Sequence, residues 1–323
     1  MSARLAAVGL LLSGLGSAAC RGDAGDSAGA TGDDAAAFAA CSADAIERRS
    51  VELSEVRLDV ACQGDMASGT PILLLHGFPE FWMGQAPVME RLAAAGHPVV
   101  ASDQRGYNTS DKPDGLDAYA LERMQQDTVD LIDLLGGEVV LVGHDWGGAV
   151  AWAVAADHPD RVQRLVIANA PHMNVFRDLL ESSEEQRQAF SYVELFLSPG
   201  AEALLSANDY AALAASFDGV LTSDELAAYK AAWAQPGALT GGLSWYRANF
   251  DADGLPDTDR ELVVDVPTLV MWGMDDTALL PANLDGLPAY VSDLTVEEVP
   301  GATHWINHEV PDRVSASIEA FIE

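Results

Sequence analysis

The chain has 323 residues, 49% of them hydrophobic and 21% charged, which is globular usage and excludes a fibrous or wholly disordered protein. Its 50 acidic residues against 17 basic ones leave a net charge of −33, a field that repels phosphates and excludes a nucleic-acid role. The only lysines are Lys112 and Lys230. Such a surface is acidic and soluble, and it also suits high salt, where dense carboxylates hold hydration water.

The first segment reads as an export signal over residues 1–19. Arg4 supplies the positive start, Leu5 to Leu15 is an apolar stretch too short for a comfortable membrane span, and Gly16-Ser17-Ala18-Ala19 are the small residues of a cleavage site. Cys20 follows directly, so the junction resembles a bacterial lipoprotein lipobox, with Ser17 where that pattern usually has Leu. The expectation is an exported protein, periplasmic or on the outer envelope, held to a membrane through a lipid on Cys20. Residues 20–40 are rich in Gly, Ala and Asp and read as a flexible tether. The RGD triplet within them reads as chance.

Cys41 and Cys62 are left as a pair once Cys20 is lipidated. They flank two short strands with a turn near Ser54-Glu55, so a disulfide between them would pin the start of the fold in an oxidising compartment. From Pro71 the chain alternates strand and helix. PILLLHG is an apolar run expected of a strand buried on both faces, and Val99 to Ser102 is a second strand. Leu121, Met124, Leu131 and Leu135 share a helical face that ends at Gly136-Gly137. EVVLVGHD is a further strand, Ala149 to Ala156 a small-residue helix, and RLVIANA a strand again. VPTLVMWG and LTVEEVP add two more, and a helix closes the chain from Pro311 to Ile322.

This alternation predicts an α/β fold with a mostly parallel sheet flanked by helices. Between residues 172 and 262 the strand signal vanishes in favour of helical stretches such as SSEEQRQAFSYVELFL and SDELAAYKAAWA. A gap of that length is too long for a loop. It predicts a helical cap over the carboxyl ends of the strands, with 41–171 and 263–323 as the two parts of the core.

Gly143-His144-Asp145-Trp146-Gly147 follows a buried strand and opens a helix, the context of a nucleophile elbow with Asp145 in the central place. The helix N-terminus favours negative charge there, although Asp145 could equally serve as a simple helix cap. Its partners would be a histidine after the last strand, His304 or His308, and an acid after the penultimate strand, Asp275 or Asp276. The chain order nucleophile, acid, histidine is that of α/β-hydrolase triads. His76-Gly77-Phe78-Pro79 follows the first long strand, so the Phe78 and Trp146 backbone N–H groups could together form an oxyanion hole.

With these residues the chain from about Val51 onward resembles the epoxide hydrolase branch of the α/β-hydrolase superfamily. HGFPEFW, DQRGYNTSDKP, GHDWGG, ANAPH, MWGMDDTALLP and GATHWINHE carry the resemblance, in that order. It selects Asp276 over Asp275 and His304 over His308. It also implies two cap tyrosines that hold an epoxide oxygen: Tyr192, seven residues before Pro199-Gly200, and Tyr246 in the triplet Trp245-Tyr246-Arg247. The implied reaction is attack by the Asp145 carboxylate on a small hydrophobic epoxide, with the tyrosines donating a proton, followed by hydrolysis of the ester by water activated by His304 and Asp276. Trp146 would line the substrate site as well as the oxyanion hole. No metal or organic cofactor is called for. Haloalkane dehalogenases share the triad, but usually carry Asn where this chain has Phe78. A non-catalytic small-molecule receptor on the same fold is the alternative of another class.

Overall fold

The structure, a computed structural model, describes Phe38 and residues 41–256 and 260–323. The expected export signal, Cys20 and nearly all of the expected tether lie outside the described residues.

Eight strands form one sheet in the order β1-β2-β4-β3-β5-β6-β7-β8. They are β1 (Glu47–Glu52), β2 (Arg57–Gln63), β3 (Ile72–Leu75), β4 (Val99–Asp103), β5 (Val139–His144), β6 (Val162–Ala168), β7 (Thr268–Gly273) and β8 (Leu294–Val299). β1 pairs with β2 and β2 with β4 in antiparallel register, and every later pairing is parallel. The central strands β3, β4, β5 and β7 are buried at every residue. That is why their sequences are mostly apolar rather than alternating, with polar residues such as Ser102, Asp103, His144 and Thr268 only at strand ends. The edge strand β8 carries partly exposed residues instead.

The pleat sends neighbouring residues to opposite faces. In β3, Leu73 and Leu75 enter one core while Ile72 and Leu74 enter the other. The second core is closed by α1 (Ala86–Ala94) and α11 (Pro311–Ile322), through Val88, Met89 and Leu92 on one and Val314 and Ile318 on the other. Helix α1 has no counterpart among the expected elements, because its short apolar stripe is only one face of nine residues. The first core holds α2 (Leu121–Leu134) and α3 (Trp146–Asp157), the latter buried almost throughout. The α3 helix starts three residues before the expected Ala149, directly at the elbow.

Among the described residues between β6 and β7 come six helices: α4 (Met173–Ser182), α5 (Glu184–Ala189), α6 (Val193–Leu197), α7 (Ala201–Ser216), α8 (Ser223–Trp233) and α9 (Ala238–Asn249). Thr222 and Glu225 form a reciprocal capping box that starts α8. Non-helical backbone at Ala207–Tyr210 interrupts α7. Polar and aromatic contacts tie these helices to the core. Trp233 Nε1 donates to the Pro79 carbonyl (2.6 Å), Trp305 Nε1 donates to the Ser216 carbonyl (2.8 Å), and Phe217 stacks on Trp305 at 4.1 Å. The chain then finishes with α10 (Ile306–Glu309) and α11.

At the other end of the sheet, Cys41 and Cys62 are joined by a disulfide with a Cα–Cα distance of 5.8 Å. Cys62 lies in β2 opposite Glu47 of β1, so the bridge ties the segment before β1 to the sheet. Closing a loop of 21 residues restricts the unfolded chain by about 3 kcal/mol. Replacing both cysteines by alanine should therefore lower unfolding stability by about that amount in urea titrations. Protein purified without reductant should show no alkylatable thiol at either position after denaturation. Two reactive thiols, or an unchanged urea midpoint, would contradict the bridge.

Candidate active site

Strand β5 ends at His144, and Asp145 follows with φ 51° and ψ −123°, backbone that a non-glycine residue rarely adopts. The turn is possible because two glycines flank it. A Cβ on Gly143 would sit 2.5 Å from the Gly147 carbonyl oxygen, and one on Gly147 would sit 2.3 Å from that of Leu75. The Asp145 side chain does not cap α3. Instead its Oδ1 accepts the Phe78 N–H at 2.9 Å, and its Oδ2 faces His304 Nε2 at 3.6 Å. The loop after β3 can come this near because residue 77 is glycine; a Cβ there would lie 2.2 Å from Asp145 Oδ1. Trp146 opens α3, where a backbone N–H has no acceptor within the helix. Of the two N–H groups predicted to act together, that of Phe78 is bonded to the Asp145 carboxylate, and that of Trp146 stands next to it in the chain at the start of α3.

His304 sits in the loop between β8 and α10, and its Nδ1–H donates to Asp276 Oδ2 at 2.9 Å. Asp276 follows β7 and is buried, whereas Asp275 is exposed. The Asp276 carboxylate also accepts Asn169 Nδ2–H (2.8 Å) and the Ala278 and Leu279 backbone N–H groups (both 2.9 Å). Burial alone would push this carboxyl up, but the imidazole and the two amides outweigh it and hold it below the usual range. Burial would likewise lower His304. The charge and hydrogen bond of Asp276, with Asp145 and Glu80 behind them, prevail and raise the imidazole to about 9. A cation between two carboxylates is the resting state at neutral pH.

His308, the competing histidine of the sequence, belongs to a second buried cluster. Its Nε2 meets Glu80 Oε1 at 2.8 Å, and Tyr229 of α8 donates to the same oxygen at 3.2 Å. His144 holds the other oxygen, Oε2, at 3.0 Å through Nδ1, while its Nε2–H donates to the His304 carbonyl at 2.8 Å. Burial would raise the Glu80 carboxyl, but the two histidines hold it well below the usual range. The cluster thus anchors the loop that carries His304. Sequence reasoning missed Glu80, His144, Tyr229 and Asn169 as site residues. Glu80 and His144 stand inside HGFPEFW and GHDWGG, so charged residues bordering buried strands were the available signal.

Tyr192 precedes α6 and Tyr246 lies in α9, and both face Asp145 across the site. Phe196 packs between them, with ring centroids 5.3 Å from Tyr192 and 4.9 Å from Tyr246. Burial first, and the Asp145 charge second, push both phenols well above the ordinary tyrosine value, so both keep their protons. Two cavities meet at Asp145, Tyr192 and Tyr246. The smaller spans about 340 Å³ including open solvent, and Trp146 is in its wall. The larger spans about 1190 Å³ including open solvent, and Phe78, Asp276 and His304 line it. The arrangement offers a nucleophile, an oxyanion site, a base with its orienting acid, and two proton donors around one apolar space.

Residues 70–311 match the family described as the alpha/beta hydrolase fold. The chain is 37% identical over 287 residues to the AB hydrolase superfamily protein YfhM of Bacillus subtilis, covering 87% of this chain and 99% of that one. It is 34% identical over 284 residues to epoxide hydrolase 2 of Caenorhabditis elegans, covering 84% and 79%. Among solved structures, an epoxide hydrolase of Bacillus megaterium bound to an inhibitor superposes with a TM-score of 0.78 at 30% identity, over 85% of this chain and 99% of that one.

The Asp276–His304 pair carries its own test. Asp276→Asn removes the charge that holds the imidazole near 9, so the His304 titration, followed by NMR, should move down toward the ordinary histidine range. An unmoved midpoint would show that Asp276 is not what raises it.

Proposed function

The chain belongs to the α/β-hydrolase superfamily, in its epoxide hydrolase branch, and from that membership we propose that it opens epoxides to vicinal diols through a covalent ester on Asp145. The observation that carries the mechanism is the unequal placement of the two Asp145 oxygens. Oδ1 is held by the Phe78 N–H, and Oδ2 faces the cavity and His304. Oδ2 attacks a ring carbon, the carbon–oxygen bond breaks, and the alkoxide takes a proton from Tyr192 or Tyr246. A carboxylate is a weak nucleophile, but a strained ring carbon with a hydrogen-bonded leaving oxygen is within its reach.

In the ester, Oδ1 is the carbonyl oxygen and already sits at the Phe78 N–H. Ester formation also removes the Asp145 charge, one of the groups that keep His304 protonated. The imidazole then passes its proton more readily, through solvent, to the phenolate left by ring opening, and its Nε2 can deprotonate water for attack on the ester carbonyl. The negative charge of the tetrahedral intermediate falls on Oδ1, between the Phe78 and Trp146 amides. Collapse expels the diol, whose leaving oxygen takes the remaining proton of the added water, and the proton taken first by His304 restores the imidazolium. One epoxide and one water are consumed, and no other reactant is needed.

The two protonated phenols favour epoxides over haloalkanes, whose halide leaves without a proton. The apolar walls of the smaller cavity favour a hydrophobic substituent.

His304→Gln should let the ester form but not hydrolyse. Styrene oxide treatment should then leave an added mass on Asp145, located by peptide mass spectrometry. In the unmutated protein the ester should accumulate as pH falls, because His304 beside the ester then keeps its proton and its base function is lost. An adduct on another residue, or none during turnover, would overturn the mechanism. The tyrosines are tested separately. Each hydroxyl lost from the transition state should cost about 2–4 kcal/mol, a factor of roughly 10²–10³ in rate, so Tyr192→Phe with Tyr246→Phe should be nearly inactive. Turnover preserved in that double variant would exclude them as the proton donors.

A further inference from the structure

The two cavities that meet at Asp145 differ in chemistry. Beyond Asp145 and the two tyrosines, the smaller arm has only apolar and aromatic walls, among them Ala149, Met173, Phe176, Phe190, Phe250 and Leu279, all buried. Among the described residues no cationic side chain lines it, its polar donors being the two phenols and the Trp146 indole, and burying a charge without a counter-charge is costly. The larger arm opens among exposed residues, and four carboxylates line it: Asp145, Asp218, Asp275 and Asp276. Among the described residues His304 is its one basic group, so with the imidazolium counted that lining is net negative, and no described lysine or arginine lines either arm. Arg247, next in sequence to Tyr246, is turned away to Glu202 and to the Phe196 and Ser198 carbonyls.

Asp218 and Asp275 stand at the exposed end of the larger arm, and neither forms an ion pair among the described residues. Their charge is therefore not neutralised locally, and it adds to the field of a chain with net charge −33. A cleft lined by one sign of charge focuses that field and changes the local concentration of charged solutes by factors of ten or more.

We infer that this site selects uncharged, apolar epoxides and rejects epoxides that carry a carboxylate, with Asp218 and Asp275 as the residues that set the discrimination. The inference rests on the epoxide reading above and adds the substrate class to it. In the smaller arm the carboxylate of an anionic substrate would find no cationic partner, and in the larger arm it would lie among acids. A neutral substrate meets neither penalty, and its compact apolar group fits the aromatic arm while the oxirane lies between Asp145 and the tyrosines.

Two compounds of nearly the same shape test this, 4-(oxiran-2-yl)benzamide and 4-(oxiran-2-yl)benzoate, with kcat/KM measured for each. At about 10 mM salt, where charges act over ~30 Å, the amide should be preferred by about tenfold. At about 1 M salt, where screening shortens that reach to ~3 Å, the ratio should fall, leaving only the preference set by the apolar arm. It should fall likewise in the protein carrying Asp218→Asn with Asp275→Asn; both residues are exposed, and the ratio of two substrates on one protein is insensitive to how much of it is active. Equal specificity constants at low salt would overturn the inference. So would a preference that neither salt nor the double variant alters. Turnover of neither compound, and none of styrene oxide, would overturn the epoxide reading itself and the inference with it.

Discussion

Asp145 is held at a positive φ with one carboxylate oxygen on the Phe78 N–H and the other toward His304, and the rest of the site is arranged around that constraint. The turn can form only where β5, α3 and the loop after β3 approach to within contact of bare backbone. Glycine at positions 77, 143 and 147 makes that approach possible. The strain of the backbone at Asp145 is sustained because the strand before it and the helix after it are both buried in well-packed surroundings. The carboxylate consequently points out of the sheet at its carboxyl edge rather than folding back to cap its own helix.

Charge compensation is the second constraint. Asp276 and Glu80 are both buried carboxylates, and each is surrounded by donors: His304, Asn169 and two amides for the first, His144, His308 and Tyr229 for the second. Removing a charge from water is tolerated only when such partners are complete. The two clusters touch through the bond from His144 to the His304 carbonyl. The position of the proposed base is thus set from both sides, by its side-chain partner and by its backbone.

The inserted helices add what the sheet cannot. Tyr192, Phe196 and Tyr246 turn a shallow edge of the sheet into an apolar space where a phenol keeps its proton and a carboxylate is poorly solvated. The turn between α7 and α8 contributes Asp218 to the mouth, and the loop after β7 contributes Asp275. The acidity that the composition spreads over the whole chain therefore continues to the entrance of the cavity and stops where the aromatic walls begin.

Much of this protein was legible in its sequence, because the signals involved are local. An unbroken apolar run declares a strand buried on both faces within a few residues. A glycine-flanked Asp at a strand–helix junction declares an elbow, and the order of acid and histidine behind it declares a triad. The residues alone left Asp275 and Asp276 level, and His304 and His308 level, and resemblance to a family chose between them. The structure separates each pair by burial: Asp275 is exposed, and His308 is committed to Glu80. Short helices such as α1, and the interruption of α7 at Ala207–Tyr210, carry too little periodicity to be read. The Glu80 cluster was out of reach for a different reason. Its partners lie 64, 149 and 228 residues from Glu80 along the chain, and no local pattern records such an approach. Periodicity tells which way a side chain faces, but whether a buried charge finds its counter-charge depends on where distant segments cross, and that was decided only by the packed sheet, its helices and the loops at its carboxyl edge.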